Sequence, residues 1–389
     1  MSRPPTPTGR IVELDALRGI AVIGIAWMNV YVFALPLQAY YNPAAYGAES
    51  AVDYALWAVS FVLVEDKFRT LFAMLFGLGV ALMWERGSGW REHLARMAIL
   101  FLIGIVHATL LASNDILRVY ALAGIVLPLF LRLRGHGLAV AAIAAIAIHL
   151  GGGYFWLSGL TSDYFALNYG ERPDGIAYAL ELGREGLADR IVRRISALPA
   201  SLATVSAAIP INFAAMLAGV ALWRSGLLPS NWSRGRAVGL IVLCCLIALP
   251  ALALIAFGTY SLGFDPEAVV RNALVVSAPF DLLLGLAYAI GLLVLFTRFR
   301  DRLAVRLLAA VGRMSLTNYL MTSATFGAIF TSWGLGLFGE VSRSEALAFS
   351  LVPILLMLFW SPLCLTKFGQ GPVEQSWRAL SSRLGRARN

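Results

Sequence analysis

Apolar residues run along this chain in long blocks parted by short polar ones. Windows of about 20 apolar residues fall near Ala16 to Leu35, Phe68 to Trp84, Met97 to Ala112, Leu117 to Leu131, Leu138 to Leu157, Ser206 to Trp223, Val238 to Gly258, Ala273 to Phe296, Met314 to Gly336 and Ala346 to Leu365. The pattern predicts an all-α, polytopic membrane helical bundle of ten spans plus interfacial helices, forming a single integral domain over 1–389. Residues 1–158 hold the first five spans, and 206–389 hold the last five and a tail. Ala51 to Val64 is apolar enough for an eleventh span, but counting it would invert every later loop. We read it as an interfacial or re-entrant helix.

Between the two groups lies the one long hydrophilic stretch, 159–205, which mixes six acids with five arginines. Leu180, Leu187, Ile191, Ile195 and Leu198 line one helical face of it, which predicts an amphipathic helix lying on the outer surface as a lid. Charge sets the orientation. Nineteen lysines and arginines, Arg3, Arg10 and Arg388 among them, lie in short segments on the side of the termini. The other side has two, Arg271 and Arg343, or five when Lys67, Arg69 and Arg118 at span edges are counted. Both termini are therefore expected in the cytoplasm, with the chain in the cytoplasmic (inner) membrane.

Composition agrees with a membrane protein: 59% hydrophobic, 14% charged, mean hydropathy +0.75. The net charge of +9 is explained by loop cations, so no nucleic-acid partner is expected. The polar, Pro-rich start, Met1 to Arg10, precedes an apolar run with no small-residue cleavage site, so the first span is expected to be retained. Cys244, Cys245 and Cys364 sit inside apolar runs with no disulfide or metal spacing, and no metal is expected.

Ionisable residues at membrane depth are costly, and their positions select the candidate chemistry. Asp15, Arg18 and Asn29 share one face of the first span, with Arg18 and Asn29 within about 20° of each other. Asn29 and His107 fall at similar depth in the outer half, close to Glu65, Asp66, Lys67 and Arg69, and to Asn114, Asp115, Arg118 and Tyr120. That density implies a water-filled outer cavity. His107 beside Asp115 has the makings of a general base; an interhelical hydrogen bond without catalysis is the plainer alternative. His93 and His136 read as solvated loop residues and His149 as a lone histidine. On the cytoplasmic edge, Arg18 and Arg313, the latter opening a helix with free N–H groups, suit a phosphate, a pyrophosphate or a lipid headgroup. Asp15 reads equally as an ion-pair partner that orients the first span. Gly77 and Gly79 are expected at close helix packing rather than in a nucleotide loop.

Several runs together resemble the YeiB-like membrane proteins (domain of unknown function 418). They are Leu14-Asp15-Ala16-Leu17-Arg18-Gly19 with Asn29, Lys67-Phe68-Arg69-Thr70-Leu71-Phe72 leading to Phe76-Gly77-Leu78-Gly79, Gly104 with His107, Asp115 with Tyr120, Gly312-Arg313-Met314 with Asn318, and Gly371-Pro372-Val373-Glu374 with Trp377-Arg378. More distantly the chain is similar to the heparan-α-glucosaminide N-acetyltransferases among the transmembrane acyltransferases, onto which Arg18, Asn29 and Asp66 carry over. That family's catalytic histidine follows the asparagine in the outer loop, where this chain reads Gln38-Ala39-Tyr40-Tyr41-Asn42-Pro43. Either His107 replaces it from another helix or the reaction has been lost.

The resemblance implies a transmembrane acyltransferase moving an acyl group from cytoplasmic acyl-CoA, acetyl-CoA being one candidate, to an extracytoplasmic hydroxyl or amine. In that scheme His107, Asn29 and Asp115 are catalytic, Arg18 and Arg313 bind the donor, and Asp66, Lys67, Arg69, Arg118 and Tyr120 line the substrate site. Asp15 and Asn318 orient. The expected partners are the lipid bilayer, a small-molecule or glycan acceptor and further copies of the chain in a homo-oligomer. The rival expectation is a transporter or exporter of a small polar or amphiphilic solute, with Pro210 and Pro353 as candidate helix breaks.

Overall fold

The computed structural model describes residues 11–226 and 232–386; Met1 to Arg10, including Arg3, and Arg388 lie outside them. The described residues form helices and no strands. In the first half these are α1 (Val12–Ala34), α2 (Leu37–Tyr41), α3 (Ala51–Leu63), α4 (Lys67–Glu85), α5 (Trp90–Leu110), α6 (Leu117–Phe130) and α7 (His136–Ser158). The hydrophilic stretch holds α8 (Ser162–Tyr169), α9 (Pro173–Arg184) and α10 (Leu187–Ser196). The second half has α11 (Leu198–Arg224), α12 (Arg234–Ser261), α13 (Pro266–Arg271), a π-helical turn at Asn272–Val276, α14 (Ala278–Arg298), α15 (Leu303–Arg313), α16 (Ser315–Phe330), α17 (Arg343–Phe349), α18 (Leu351–Phe368) and α19 (Pro372–Arg386).

Each of the ten apolar windows contains a helix, and among the described residues eight helical stretches are long and apolar enough to cross a membrane. The two windows that fall short are α6, with 14 residues, and α16, with 16. At 1.5 Å per residue they span about 21 and 24 Å, less than the hydrocarbon core. Both are largely buried against other helices rather than against lipid, which is where short helices are tolerated. Exposed Val140 and Ile148 on α7 and Leu246 and Leu254 on α12 mark the apolar outer wall instead. The arginine-rich stretch expected as a loop before the ninth span contains α15, an amphipathic helix packed along α1.

Glycines set the tightest crossings. A Cβ on Gly312 would lie 1.7 Å from Asp15 O, and one on Gly19 would lie 2.0 Å from Leu308 O, so α1 and α15 touch backbone to backbone. Gly77 and Gly219 do the same for α4 and α11, where a Cβ would come within 2.3 Å of Met216 O and 2.0 Å of Met74 O. These contacts replace the hydrophobic drive that lipid does not supply.

Two differences from the sequence pattern matter for the site. The single amphipathic helix expected over the lid is two helices, α9 and α10, parted at Glu185 and Gly186, both of which take extended ψ. The break lets Leu180 pack beside Phe338 and Tyr46 while α10 turns toward α5. The lid also ends early, because α11 begins at Leu198 rather than near Ser206.

Candidate active site

The start of α1, the α15–α16 junction, the start of α5 and α19 gather at one end of the bundle, here called proximal. The end of α5, the start of α6, α2, α17 and the lid form the distal end. His107 sits in the last turn of α5, one turn after Gly104. Gly104 is required there: a Cβ would meet Asp115 Oδ2 at 2.7 Å and Arg118 Cγ at 2.8 Å. This opening lets Asp115, from the bend before α6, reach back over α5. Asp115 Oδ1 lies 2.8 Å from His107 Nδ1, while Oδ2 accepts the Arg118 backbone N–H at 2.9 Å and faces Arg118 Nε at 3.4 Å. On the other side of the ring, Nε2 meets Ser323 Oγ of α16 at 2.9 Å, and Tyr319 packs on the imidazole at 4.9 Å between centroids. His107, Asp115, Arg118 and Ser323 are all buried. Charges in such a place persist only when paired and hydrogen-bonded.

Ser323 was not legible as a site residue, since one serine in an apolar span ordinarily bonds back to its own helix. His93, expected in solvent, is buried with Nε2 2.8 Å from Gly124 O, because α5 begins at Trp90 and carries it against α6. His149 meets Leu274 O at 3.0 Å.

Lys67, Asp66, Arg69 and Tyr120 take fixed partners rather than line one open cavity. Lys67 and Asp281 form a fully buried ion pair at 2.6 Å that ties α4 to α14, and Lys67 also donates to Phe61 O. Asp66 takes a left-handed backbone, φ 61°, at the start of α4 and pairs with Arg69 at 2.7 Å. Tyr120 donates to Arg69 O at 2.9 Å. Asp281 was missed because it reads as an ordinary first-turn acid of a span. Arg343, expected in an outer loop, is fully buried: it lies 4.1 Å over the Tyr31 ring and donates to Ala39 O at 2.6 Å. Its Nε, Tyr31 Oη and Gln38 Oε1 are buried without hydrogen-bond partners.

Asn29 does not bond to His107, whose two nitrogens are taken. It is half-buried and makes no hydrogen bond among the described residues. The Phe33–Phe326 ring contact at 5.6 Å fixes the register of α1 against α16. One turn earlier on each helix come Asn29 and the pair Thr322 and Ser323. Asn29 therefore reaches the level of the relay through α16 rather than α5.

The lid closes over this end. Gln38 donates to Leu167 O at 3.0 Å, Asn42 donates to Tyr169 O at 2.8 Å, and Arg184 pairs with Glu340 at 2.5 Å, while Arg118 reaches Ser201 Oγ in the first turn of α11 at 2.8 Å. Glu185 hydrogen-bonds Arg193, which holds its carboxyl below the usual glutamate range. An open groove of about 620 Å³ runs along α9, lined by Ala177, Leu180, Glu181, Arg184 and Glu185.

At the proximal end Asp15 pairs with Arg18 at 3.1 Å, and the Arg18 guanidinium lies alongside Gly79 of α4. Asn318, fully buried, is a junction: it donates to Val311 O at 2.9 Å and Ser361 Oγ at 3.0 Å, and accepts from Trp360 at 3.0 Å. The first N–H groups of α16 are not free. Glu374 of α19 accepts from Leu316 N at 2.8 Å and Thr317 N at 3.1 Å, and Thr317 Oγ1 donates to it at 2.5 Å. Arg313 donates to Gly369 O at 2.8 Å.

With 388 residues aligned, the chain is 34% identical to "Uncharacterized protein YeiB" of Escherichia coli (strain K12), covering 96% of this chain and 97% of that one. It belongs to the YeiB family. Another relative, "Uncharacterized protein YxaH" of Bacillus subtilis (strain 168), is 28% identical over 404 residues, covering 97% and 96%. Residues 222–383 match the model of a protein of unknown function (DUF418), and 10–168 match heparan-alpha-glucosaminide N-acetyltransferase, catalytic. No solved structure matches. In this YeiB-family chain the relay crosses both matched stretches: His107 and Asp115 lie in the first and Ser323 in the second. Arg18 keeps 28% of its side chain exposed and so is accessible to an anion. At the start of α16 an anion would first have to displace Glu374.

Proposed function

We propose that this protein is a transmembrane acyltransferase that takes an acyl group from cytoplasmic acyl-CoA and gives it to an extracytoplasmic hydroxyl or amine. The observation that carries this reading is the buried imidazole of His107, backed by Asp115 and lying within the stretch that matches an acetyltransferase catalytic model. Asp115 orients the ring and stabilises its protonated form, so His107 accepts a proton during acyl transfer. Asn29, with an amide free of other bonds, is the donor toward the oxyanion. Arg18 holds the donor phosphates at the proximal edge, with Arg313 joining if Glu374 yields. Lys67, Asp66, Arg69, Arg118 and Tyr120 shape the distal floor, and the lid admits the acceptor.

This makes the histidine of the acyltransferase pattern a residue supplied from α5 instead of from the loop after α1. Transport without bond-making gains little support from the helices. α11 runs unbroken through Pro210, and Pro353 sits in the first turn of α18, where proline is tolerated.

The test is CoA release from radiolabelled acetyl-CoA by purified protein in lipid with membrane extract as acceptor source. Wild type should release CoA; His107→Ala should lose about 100-fold or more and Asn29→Ala at least tenfold. Equal release by wild type and both variants would reject the assignment.

A further inference from the structure

We propose that Ser323 is a nucleophile that carries the acyl group covalently between donor and acceptor. The proposal rests on the acyltransferase reading above and deepens it.

Three observations single out this hydroxyl. Asp115, His107 and Ser323 lie in series at 2.8 and 2.9 Å, from the bend before α6, from α5 and from α16. Because Asp115 takes the Nδ1–H, Nε2 presents its lone pair and Ser323 Oγ–H donates to it, the arrangement that activates a serine. The other Asp115 oxygen is held by the Arg118 backbone N–H and faces its guanidinium, so the acid is itself fixed. The second observation is what Ser323 does not do. On the same helix Thr322 donates to Asn318 O at 2.9 Å, and Thr331 just past its end donates to Gly327 O at 2.7 Å, each folding back one turn. Ser323 is instead turned off its own helix toward the imidazole. The third is level: the α1–α16 register brings the free amide of Asn29 to the turn that holds Ser323.

Transfer then occurs in two balanced steps. Ser323 Oγ attacks the thioester carbonyl carbon as its proton passes to His107 Nε2. The carbon–sulfur bond breaks, and the CoA thiolate leaves with that proton, giving an acyl-serine ester and free CoA. An acceptor hydroxyl or amine next attacks the ester, giving its proton to His107, which returns it to Ser323 Oγ as the ester C–O bond breaks. Donor and acceptor need never be bound together. A covalent carrier suits a site in which Ser323 and His107 are each 1% exposed, since water that would hydrolyse the ester is kept out.

Two measurements test it on intact protein. An alkyl fluorophosphonate reports an activated serine whatever the natural donor is. Intact mass and peptide sequencing should place one adduct on Ser323, absent in Ser323→Ala and reduced at least 100-fold in His107→Gln. Radiolabelled acetyl-CoA without acceptor should leave a hydroxylamine-labile label on the same peptide, with about one CoA released per chain. Ser323→Cys, which keeps a hydrogen-bonding side chain, should carry the label as a thioester if the alanine variant misfolds. No fluorophosphonate adduct on folded wild type overturns the nucleophile, as does full CoA release and transfer by Ser323→Ala. The latter result leaves the acyltransferase reading standing. An adduct on Ser323 with no label from acetyl-CoA or longer acyl-CoAs supports the nucleophile and sinks the CoA donor instead.

Discussion

The two ends of this bundle spend their polar residues differently. At the proximal end each motif residue closes a structural contact: Asp15 pairs with Arg18, Gly19 and Gly312 let two backbones touch, Asn318 joins three helices, and Glu374 caps α16. At the distal end the polar residues are just as buried, but there a histidine is poised between an acid and a hydroxyl. The distal end therefore reads as the chemical end and the proximal end as the joint that holds it.

The largest effect should come from breaking the relay. His107→Gln keeps a hydrogen-bonding side chain of similar reach but removes the base, and acyl turnover should fall about 10²–10⁴-fold while thermal stability changes little. Turnover kinetics and a melting curve on one preparation check both halves. A loss of folding in step with activity would place His107 with the structural residues instead.

Next comes the proximal joint. Gly312→Val places side-chain atoms where even a Cβ lies 1.7 Å from Asp15 O, so α1 and α15 must separate and the folded yield should collapse. Gly79→Ala is the matched control, because its nearest neighbour would be Arg18 Nη2 at 3.6 Å; its melting temperature should be unchanged. Size-exclusion profiles in detergent read the difference. A smaller effect is expected from Glu374→Ala, which uncovers two N–H groups at the start of α16. Loss of such a cap costs about 1–2 kcal/mol, visible as a lowered melting temperature with turnover retained.

How much of this was legible follows the same division. Helix positions came through because apolar blocks of bilayer length have few other solutions, and the glycine motifs were read as packing positions. His107 with Asp115 was legible because a histidine eight residues before an acid at a span edge can fold back onto it. Ser323, Asp281 and the buried state of Arg343 were not, because each depends on a partner more than 200 residues away in sequence, and local pattern carries no such information. The free helix start expected at Arg313 failed for the same reason: Glu374, which fills it, arrives from the tail. The lid's interruption at Glu185 and Gly186 was hidden by an unbroken apolar periodicity, which marks the buried face but not whether the backbone continues through a glycine.

The lid offers the finest way to sharpen the comparison, since it belongs to the distal end and is held by pairs that can be opened or locked. Arg184→Cys with Glu340→Cys, bridged by a bis-maleimide whose disulfide-containing spacer replaces the reach of the two lost side chains, should lower transfer to an external acceptor at least tenfold, with recovery on reduction. Single cysteine variants control for the native thiols. Acid should do the opposite. Arg193 holds the Glu185 carboxyl below its ordinary value of 4.5, so the closed lid gains stability from this group fully above that value and loses it as pH falls through the lowered folded pKa. Limited proteolysis within 159–198 should therefore accelerate on acidification in wild type. Glu185→Gln, which cannot ionise, should be cut faster at neutral pH and show a flatter pH profile. Identical profiles for the two proteins would mean that the Glu185 ion pair does not hold the lid, and would move the latch to the bonds that Gln38 and Asn42 make to Leu167 O and Tyr169 O.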